Sequence, residues 1–262
     1  MNIDLTNKTA LVGGASQGLG LAVAKELANL GATVIILSRS EEKLKEALKQ
    51  LSTAKQQQHA FIAGDSTQPQ QVKEKVEAYL SKNNIIHILV NNSGGPASGP
   101  MIETKAEDIL TAFHSHLITS HLLAQTLVPG MKKAGYGRIV NIVSTSVKEP
   151  IPGLGISNSV RAAVANWAKT LADEIAFYGI TVNNVLPGYT KTDRLEYLFG
   201  KQAKENNTTI EEIEKRNAAQ VPARRLGEPE DFAQAVAFLC TPAASYINGV
   251  NLPVDGGRLA GL

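Results

Sequence analysis

Short apolar runs alternate with segments of helical periodicity along the whole chain. The runs at 8–12, 33–38, 59–63, 86–90, 137–143, 180–185 and 250–254 have strand length. Several are apolar or β-branched almost without interruption, as in Thr33-Val-Ile-Ile-Leu37 and Ile85-Ile-His-Ile-Leu-Val90. Unbroken runs of this kind predict parallel strands covered on both faces. Between them, Leu19, Val23, Leu27 and Leu30 form one helical stripe. Leu44, Ala47, Leu48 and Leu51 form a second, and Val164, Trp167, Ala168, Leu171 and Ile175 a third. Glu228-Pro229-Glu230-Asp231 reads as a helix start, with proline at the first position and acids in the first turn. Alternating β and α units joined by right-handed crossovers predict an α/β fold, a doubly wound parallel sheet of about seven strands with helices on both faces. No linker or repeat divides the chain, so one domain over 1–262 is expected. The segment at about 193–221, with the polar stretch Lys201–Thr209, is a long excursion between the last two strands. It reads equally as a lobe over a substrate and as a solvated helical insertion.

Composition narrows the partners. With 43% apolar and 19% charged residues, the 262-residue chain can bury a sizeable core. A net charge of +2 offers no basic patch, which argues against nucleic acid and anionic membrane. The single cysteine, Cys240, excludes an internal disulfide and suits a reducing compartment. No run approaches the roughly 18 apolar residues of a membrane helix. The first residues lack the apolar core of an export signal, so a cytoplasmic protein is expected.

The most specific local signal is Thr9-Ala-Leu-Val-Gly-Gly-Ala-Ser-Gln-Gly-Leu-Gly20, where an apolar run ends in spaced glycines and helical periodicity begins at once. A strand feeding a helix through such a turn leaves the helix's first amides free to meet a pyrophosphate. Gly14 and Gly18 would let the backbone turn and approach the phosphates, while Gly20 would allow close packing. Strand two ends at Leu37-Ser38-Arg39. An acidic residue there would suit the ribose of NAD, whereas Arg39 fits the 2′-phosphate of NADP, with NAD the alternative. Ser38 and Ser40 offer further hydroxyls, and Ser40 also suits a helix cap.

These features together resemble the short-chain dehydrogenases/reductases, within them the 3-oxoacyl-(acyl-carrier-protein) reductase-like branch, over nearly the whole chain. The resemblance rests on the glycine turn (with Ser16, Gln17 and Leu19), Gly64-Asp65-Ser66, Asn91-Asn92-Ser93-Gly94 and Gly137-Arg-Ile-Val-Asn-Ile-Val-Ser144. It extends through Pro187-Gly188 with Thr190 and Thr192, Arg225-Leu-Gly-Glu-Pro-Glu and Gly249–Gly257. It implies a Rossmann domain in which Asp65 and Ser66 contact the adenine side of the cofactor and Asn91 lies beside its ribose. It places Pro187–Thr192 at the nicotinamide carboxamide. It further implies a homotetramer, with a dimer the alternative, assembled through the helices carrying His116 and Arg161.

The family's catalytic pattern is incomplete here. Ser144 matches its serine, which donates to a carbonyl oxygen that gains charge. Thirteen residues on, Ser157 stands at the tyrosine position, and Arg161 stands at the lysine position. His116 takes the place of the supporting asparagine, and no tyrosine lies between Tyr136 and Tyr178. A serine is a far weaker acid than a phenol, whose pKa is near ~10. Arg161 cannot shuttle protons, but it can hold a ribose, a carboxylate or a carrier phosphate. One turn apart on a helix, Ser157 and Arg161 can face the same ligand.

Three functions remain open. The first is an atypical reductase, its proton supplied by water, His116, Tyr189 or Lys148. The second is a nucleotide-binding sensor or partner subunit, and the third is a dehydratase or isomerase reusing the pocket. The bland reading of His116 is a histidine packed at a subunit interface. A metal is not expected, because His114 and His121 share a face that His116 leaves. The substrate class is a small molecule or an acyl thioester.

Overall fold

The computed structural model describes residues 1–81 and 84–261. Seven parallel strands form one sheet: β1 (Thr9–Gly13), β2 (Thr33–Ser38), β3 (Ala60–Ala63), β4 (Ile88–Asn91), β5 (Gly137–Ile142), β6 (Ile180–Pro187) and β7 (Asn251–Val254), in the order β3-β2-β1-β4-β5-β6-β7. Strand identities match the hydrophobic runs, and the ends shift by one or two residues. β1 begins one residue later than the run suggested, and β6 continues to Pro187, because Pro187 and Val254 are paired in the β6–β7 register.

Pleating sends successive side chains to opposite faces. Ala10, Val12, Val34, Ile36, Val140 and Val185 bury against α1 (Gly18–Asn29) and α9 (Pro229–Leu239), whose Phe232 is fully enclosed. Leu11, Ile35, Leu89, Ile139 and Val182 face the other way, into α3 (Pro69–Leu80), α5 (Thr119–Ala134) and α6 (Gly155–Ile175). The helix start at Glu228 carries a full capping box, with Asp231 accepting from the Glu228 amide, and Pro229 opens α9. Ser40 caps α2 (Glu41–Leu48) by accepting from the Lys43 amide, so its hydroxyl serves the helix.

The excursion folds into two packed helices, α7 (Asp193–Glu205) and α8 (Ile210–Gln220). Phe199, Ala203, Ile213 and Leu226 form a small core of their own there, joined by Tyr189. The polar stretch Lys201–Thr209 is therefore mostly the last turn of α7 and the connection to α8. Between α4 (Ala106–Phe113) and α5, His114–Ile118 runs as a π-helical turn.

Four asparagines cross the sheet at one level. Asn91, Asn141, Asn184 and Asn251 are register partners on β4, β5, β6 and β7. Asn91 Nδ2 donates to Asn141 Oδ1 at 2.8 Å, Asn141 Nδ2 to Asn184 Oδ1 at 2.9 Å, and Asn184 Nδ2 to Asn251 Oδ1 at 2.8 Å. Each inner amide thus donates and accepts along the row. Buried amides joined in this way are satisfied only in one register, so the row locks the strand alignment beneath the site. Asn141→Ala orphans a donor on Asn91 and an acceptor on Asn184, at about 1–3 kcal/mol each. Its loss of stability in chemical denaturation is therefore expected to exceed that of Asn251→Ala, which orphans one group. Equal losses would refute a continuous row.

Candidate functional site

A cleft of about 990 Å³ opens along the carboxyl ends of the strands, where open parallel sheets place their ligands. Its walls come from the glycine turn (Gly14, Gln17, Gly18, Leu19), the β4 exit (Asn92, Ser93, Gly94), the β5 exit (Ser144), α6 (Ser157, Arg161), the β6 exit (Pro187, Gly188, Thr190, Thr192) and α7. Residues spread over the whole sequence thus share one surface.

The glycine turn is built around left-handed backbone at Gly14 (φ 56°) and Gly18 (φ 58°), a conformation that a Cβ disfavours. A Cβ on Gly20 would lie 2.3 Å from the Gly14 carbonyl oxygen, so Gly20 is set by the turn's own backbone rather than by a strand beneath it. Gln17 precedes α1 without capping it; its Nε2 donates to Asp193 and its Oε1 accepts from Lys43. The helix amides at this end therefore have no side-chain cap. Ser16 lies beside them, partly exposed. Asn92, part of the Asn91–Gly94 motif but given no role from sequence, donates from Nδ2 to the Gly13 and Gly14 carbonyls at 3.3 and 3.4 Å and pins the turn to the β4 exit.

Arg39 is exposed just beyond β2, while the neighbouring Ser38 hydroxyl is buried without a hydrogen-bond partner among the described residues. Asp65 Oδ1 accepts from the Thr67 amide and hydroxyl, and the Ser66 carbonyl accepts from Thr119 Oγ1. Asn91 is buried, its side-chain amide committed to the asparagine row. Arg39 and Asp65 lie outside the lining of the large cleft, and Ser66 and Asn91 line a small internal cavity beneath it.

Ser144 follows β5 by two residues and caps the turn that comes next, its Oγ accepting from the Ser146 amide at 3.1 Å. Ser157 is half-buried one turn before Arg161 on α6, and both line the cleft. Arg161 is 8% exposed. Its Nη1 donates to the Ile142 carbonyl, and its Nε finds no partner among the described residues. Burial, with Arg194 nearby, pulls its guanidinium down to about 10, still fully charged at neutral pH. Thr190 is buried, and Thr192 caps α7 by accepting from the Leu195 amide. Gly188 packs so closely that a Cβ there would lie 2.6 Å from Asp255.

His116 corrects one expectation. It is 5% exposed within a single chain, so it is held inside the protomer rather than at a subunit surface. His116 lies in the π-helical turn, which adds a residue to the helical spacing, and its ring meets the segment just after β4. Ser93 Oγ and His116 Nδ1 lie 2.7 Å apart. Burial first, then the Arg161 charge, depress the basicity of His116 well below the usual histidine range, while a Gly94 backbone hydrogen bond opposes them. The ring is therefore neutral at pH 7. Of the other candidates for a proton, Tyr189 lines the cleft and Lys148 is exposed outside its lining. Among the described residues, no group of three or more His, Cys, Asp or Glu side chains is placed to hold a metal ion. None of their helices is long and apolar enough to cross a membrane.

A family model described as enoyl-(acyl carrier protein) reductase matches residues 14–258. The 3-oxoacyl-(acyl-carrier-protein) reductase of Vibrio cholerae is 34% identical over 255 residues, covering 97% of this chain and 98% of its own. The NADPH-dependent reductase BacG of Bacillus subtilis is 30% identical over 260 residues, covering 97% and 99%. Among solved structures, L-sorbose reductase from Gluconobacter frateurii, complexed with NADPH and L-sorbose, superposes with a TM-score of 0.94 at 30% identity over the full length of both chains. Fold, glycine turn and full-length similarity agree: the chain belongs to the short-chain dehydrogenase/reductase family of oxidoreductases.

Proposed function

We propose that this oxidoreductase moves a hydride between NADP and a carbonyl or alcohol substrate, a small ketone or a 3-oxoacyl-like compound, through an atypical set of proton-handling residues. The single observation that carries the reading is the shared wall of the cleft. The glycine turn, Ser144, Ser157, Arg161 and the Pro187–Thr192 segment meet there. The turn suits a dinucleotide: two left-handed glycines, an uncapped helix start and open space around Gly94 leave a cradle that side chains would fill. Gly14, Ser16, Gln17, Gly18, Leu19 and Gly20 would hold the diphosphate, and Ser93 and Gly94 the adjoining ribose, with Asn91, its amide held in the asparagine row, supporting that wall from within. Asp65 and Ser66 would meet the adenine. Pro187, Gly188, Thr190 and Thr192 would hold the carboxamide, and Arg39 the 2′-phosphate.

When bound, the nicotinamide supplies or accepts the hydride. Ser144 Oγ donates to the substrate oxygen and stabilises the charge that gathers there. Ser93 Oγ stands between the cleft and His116 Nδ1, and a neutral imidazole at that point accepts a proton leaving an alcohol oxygen by way of the serine. In the reduction direction His116 first takes up a proton from water, which Ser93 then relays to the forming alkoxide. Arg161 remains charged and adds an electrostatic pull without exchanging protons. A pure sensor would have little need of Ser144 and the nicotinamide-side segment, which favours the reductase reading.

The one-domain chain 1–262, with 193–221 as its lobe over the substrate, is proposed to assemble as a cytoplasmic homotetramer. Leu110 and Ile118, exposed at 59% and 38% on the α4–α5 face, support such contacts. A solution scattering mass of four protomers is expected, and a monomer at all concentrations would exclude it.

Two further outcomes test the chemistry. NADPH is expected to bind about ten- to a hundredfold tighter than NADH, as one charge-assisted Arg–phosphate contact of about 1.5–3 kcal/mol allows. Arg39→Asp is expected to erase that preference, and equal affinities in the parent protein would remove the assignment of Arg39. Ser144→Ala and His116→Asn are each expected to lower carbonyl reduction by about a hundredfold while NADPH fluorescence titrations stay unchanged. Full turnover in either variant would strike that residue from the mechanism.

A further inference from the structure

Hydride transfer from a dinucleotide does not by itself account for the charge gathered in the cleft. Arg161 is a guanidinium more than nine-tenths buried, hydrogen-bonded to one carbonyl, with an Nε that meets nothing among the described residues. No carboxylate pairs with it among those residues, and the charge that acts on it is another cation, Arg194. Burying a cation without an anion is costly, and a second positive charge adds to that cost.

Around it, the cleft gathers more cations from distant parts of the chain. Arg194 crosses the β4 exit loop, with Nη2 donating to the Pro96 carbonyl at 2.9 Å. Lys201 donates to Ser98 Oγ at 3.2 Å, and Arg258 lies 4.4 Å from the Tyr189 ring centre. All four basic residues line the cleft. Of the two acids in the same lining, Asp193 is engaged by Gln17 and Glu205 lies 3.8 Å from Lys201. Neither neutralises Arg161.

The phosphates of a dinucleotide already have their own donors at the glycine turn. We infer that Arg161, with Arg194 beside it, is the seat of a carboxylate on the substrate itself, so that the carbonyl compound handled here is an oxo acid rather than a neutral ketone or a thioester. This rests on the reading of the cleft as the site of carbonyl chemistry, and it names the substrate class that reading leaves open. The carboxylate would take the unpartnered Nε of Arg161 and a neighbouring N–H of the same guanidinium, in the two-pronged manner that this group favours. Ser157, one turn away on the same helix, is placed to face the same ligand. The partial neutralisation of Arg161 by such a ligand would also relieve the depressing effect of its charge on His116.

The test uses the intact protein saturated with NADP⁺, so that no reduction occurs during titration. Calorimetric affinities are measured for 2-oxopentanoate, 3-oxopentanoate and 4-oxopentanoate, for their methyl esters, and for the acetoacetyl thioester of N-acetylcysteamine. At least one acid is expected to bind about tenfold or more tighter than its ester and than the thioester, the gain expected of a desolvated charge pair. Arg161→Met is expected to reduce that preference to about twofold or less, and Arg161→Lys to restore part of it. NADPH affinity, read by nicotinamide fluorescence, should be unchanged in both variants, and the melting temperature of Arg161→Met should equal or exceed that of the parent, because an unpaired buried charge has been removed.

Esters or the thioester binding as tightly as every acid would overturn the inference while leaving the NADP reading intact. So would an acid preference that survives Arg161→Met, or a loss of NADPH affinity in that variant, which would assign the guanidinium to the cofactor. Failure of the parent protein to bind NADPH at all would instead overturn the functional reading beneath it.

Discussion

The alignment of parallel strands is the constraint on which the site depends. A parallel sheet covered on both faces is apolar on both, so hydrophobic contact alone distinguishes poorly between neighbouring registers two residues apart. The asparagine row removes that freedom. Asn91, Asn141, Asn184 and Asn251 satisfy one another only when β4 to β7 lie level. A slip of two residues would leave buried amides facing apolar side chains, at a cost far above that of a strained contact. The row meets β4 at its last residue and β5 one residue from its end, crosses the middle of β6 and opens β7, and Asn91 directly precedes the β4 exit that carries Asn92 and Ser93. It therefore fixes, in the same stroke, where Ser144 leaves β5 and where Pro187 leaves β6.

From that fixed edge, two kinds of polar group behave differently. The asparagines are neutral and saturated, and they strengthen the core. Arg161 is charged and incompletely partnered, and it weakens the core by the general cost of buried, uncompensated charge. His116 lies between these cases: it is kept neutral by burial and by Arg161, and its ring is engaged with Ser93 and the Gly94 backbone. The same cation thus shapes the site twice, by its own unmet valence and by the basicity it removes from the neighbouring histidine.

Much of this was legible along the chain because the relevant signals are local. Strand runs, the stripes of α1 and α6, the Glu228-Pro229 start and the glycine turn each depend on residues within one or two turns of each other. The asparagine row was not legible, since each member sits alone in an apolar strand and only the register brings them level. The π-helical turn was hidden for a similar reason. The segment around His116 reads as ordinary helix, and helical counting sends its ring elsewhere. Arg194 and Lys201 lie on α7, and Arg258 follows β7 far along the chain, so their sharing of one cleft with Arg161 is a property of the fold. Asn92 could have been found from sequence, because a side-chain amide directly after a strand that neighbours a glycine turn is well placed to bind the turn's carbonyls.

On the proposed reading, Ser157, Arg161 and His116, at the positions of the family's tyrosine, lysine and asparagine, are physically coupled. A tyrosine at Ser157 would need a neighbouring cation to ionise, and a lysine at Arg161 would supply it while remaining able to shed its own proton. With Ser157 in place there is no phenol to activate, so a cation at Arg161 serves only if it acts on something else. Burying it beside Arg194 makes the site expensive without an anion and favourable with one. In the proposed chemistry proton handling falls to another pair, and Ser93 and His116 lie within hydrogen-bond distance of each other at the cleft wall. On the proposed reading, Ser157, Arg161 and His116 make one consistent change, from a phenol that a lysine activates to a hydroxyl relay beside a fixed positive charge.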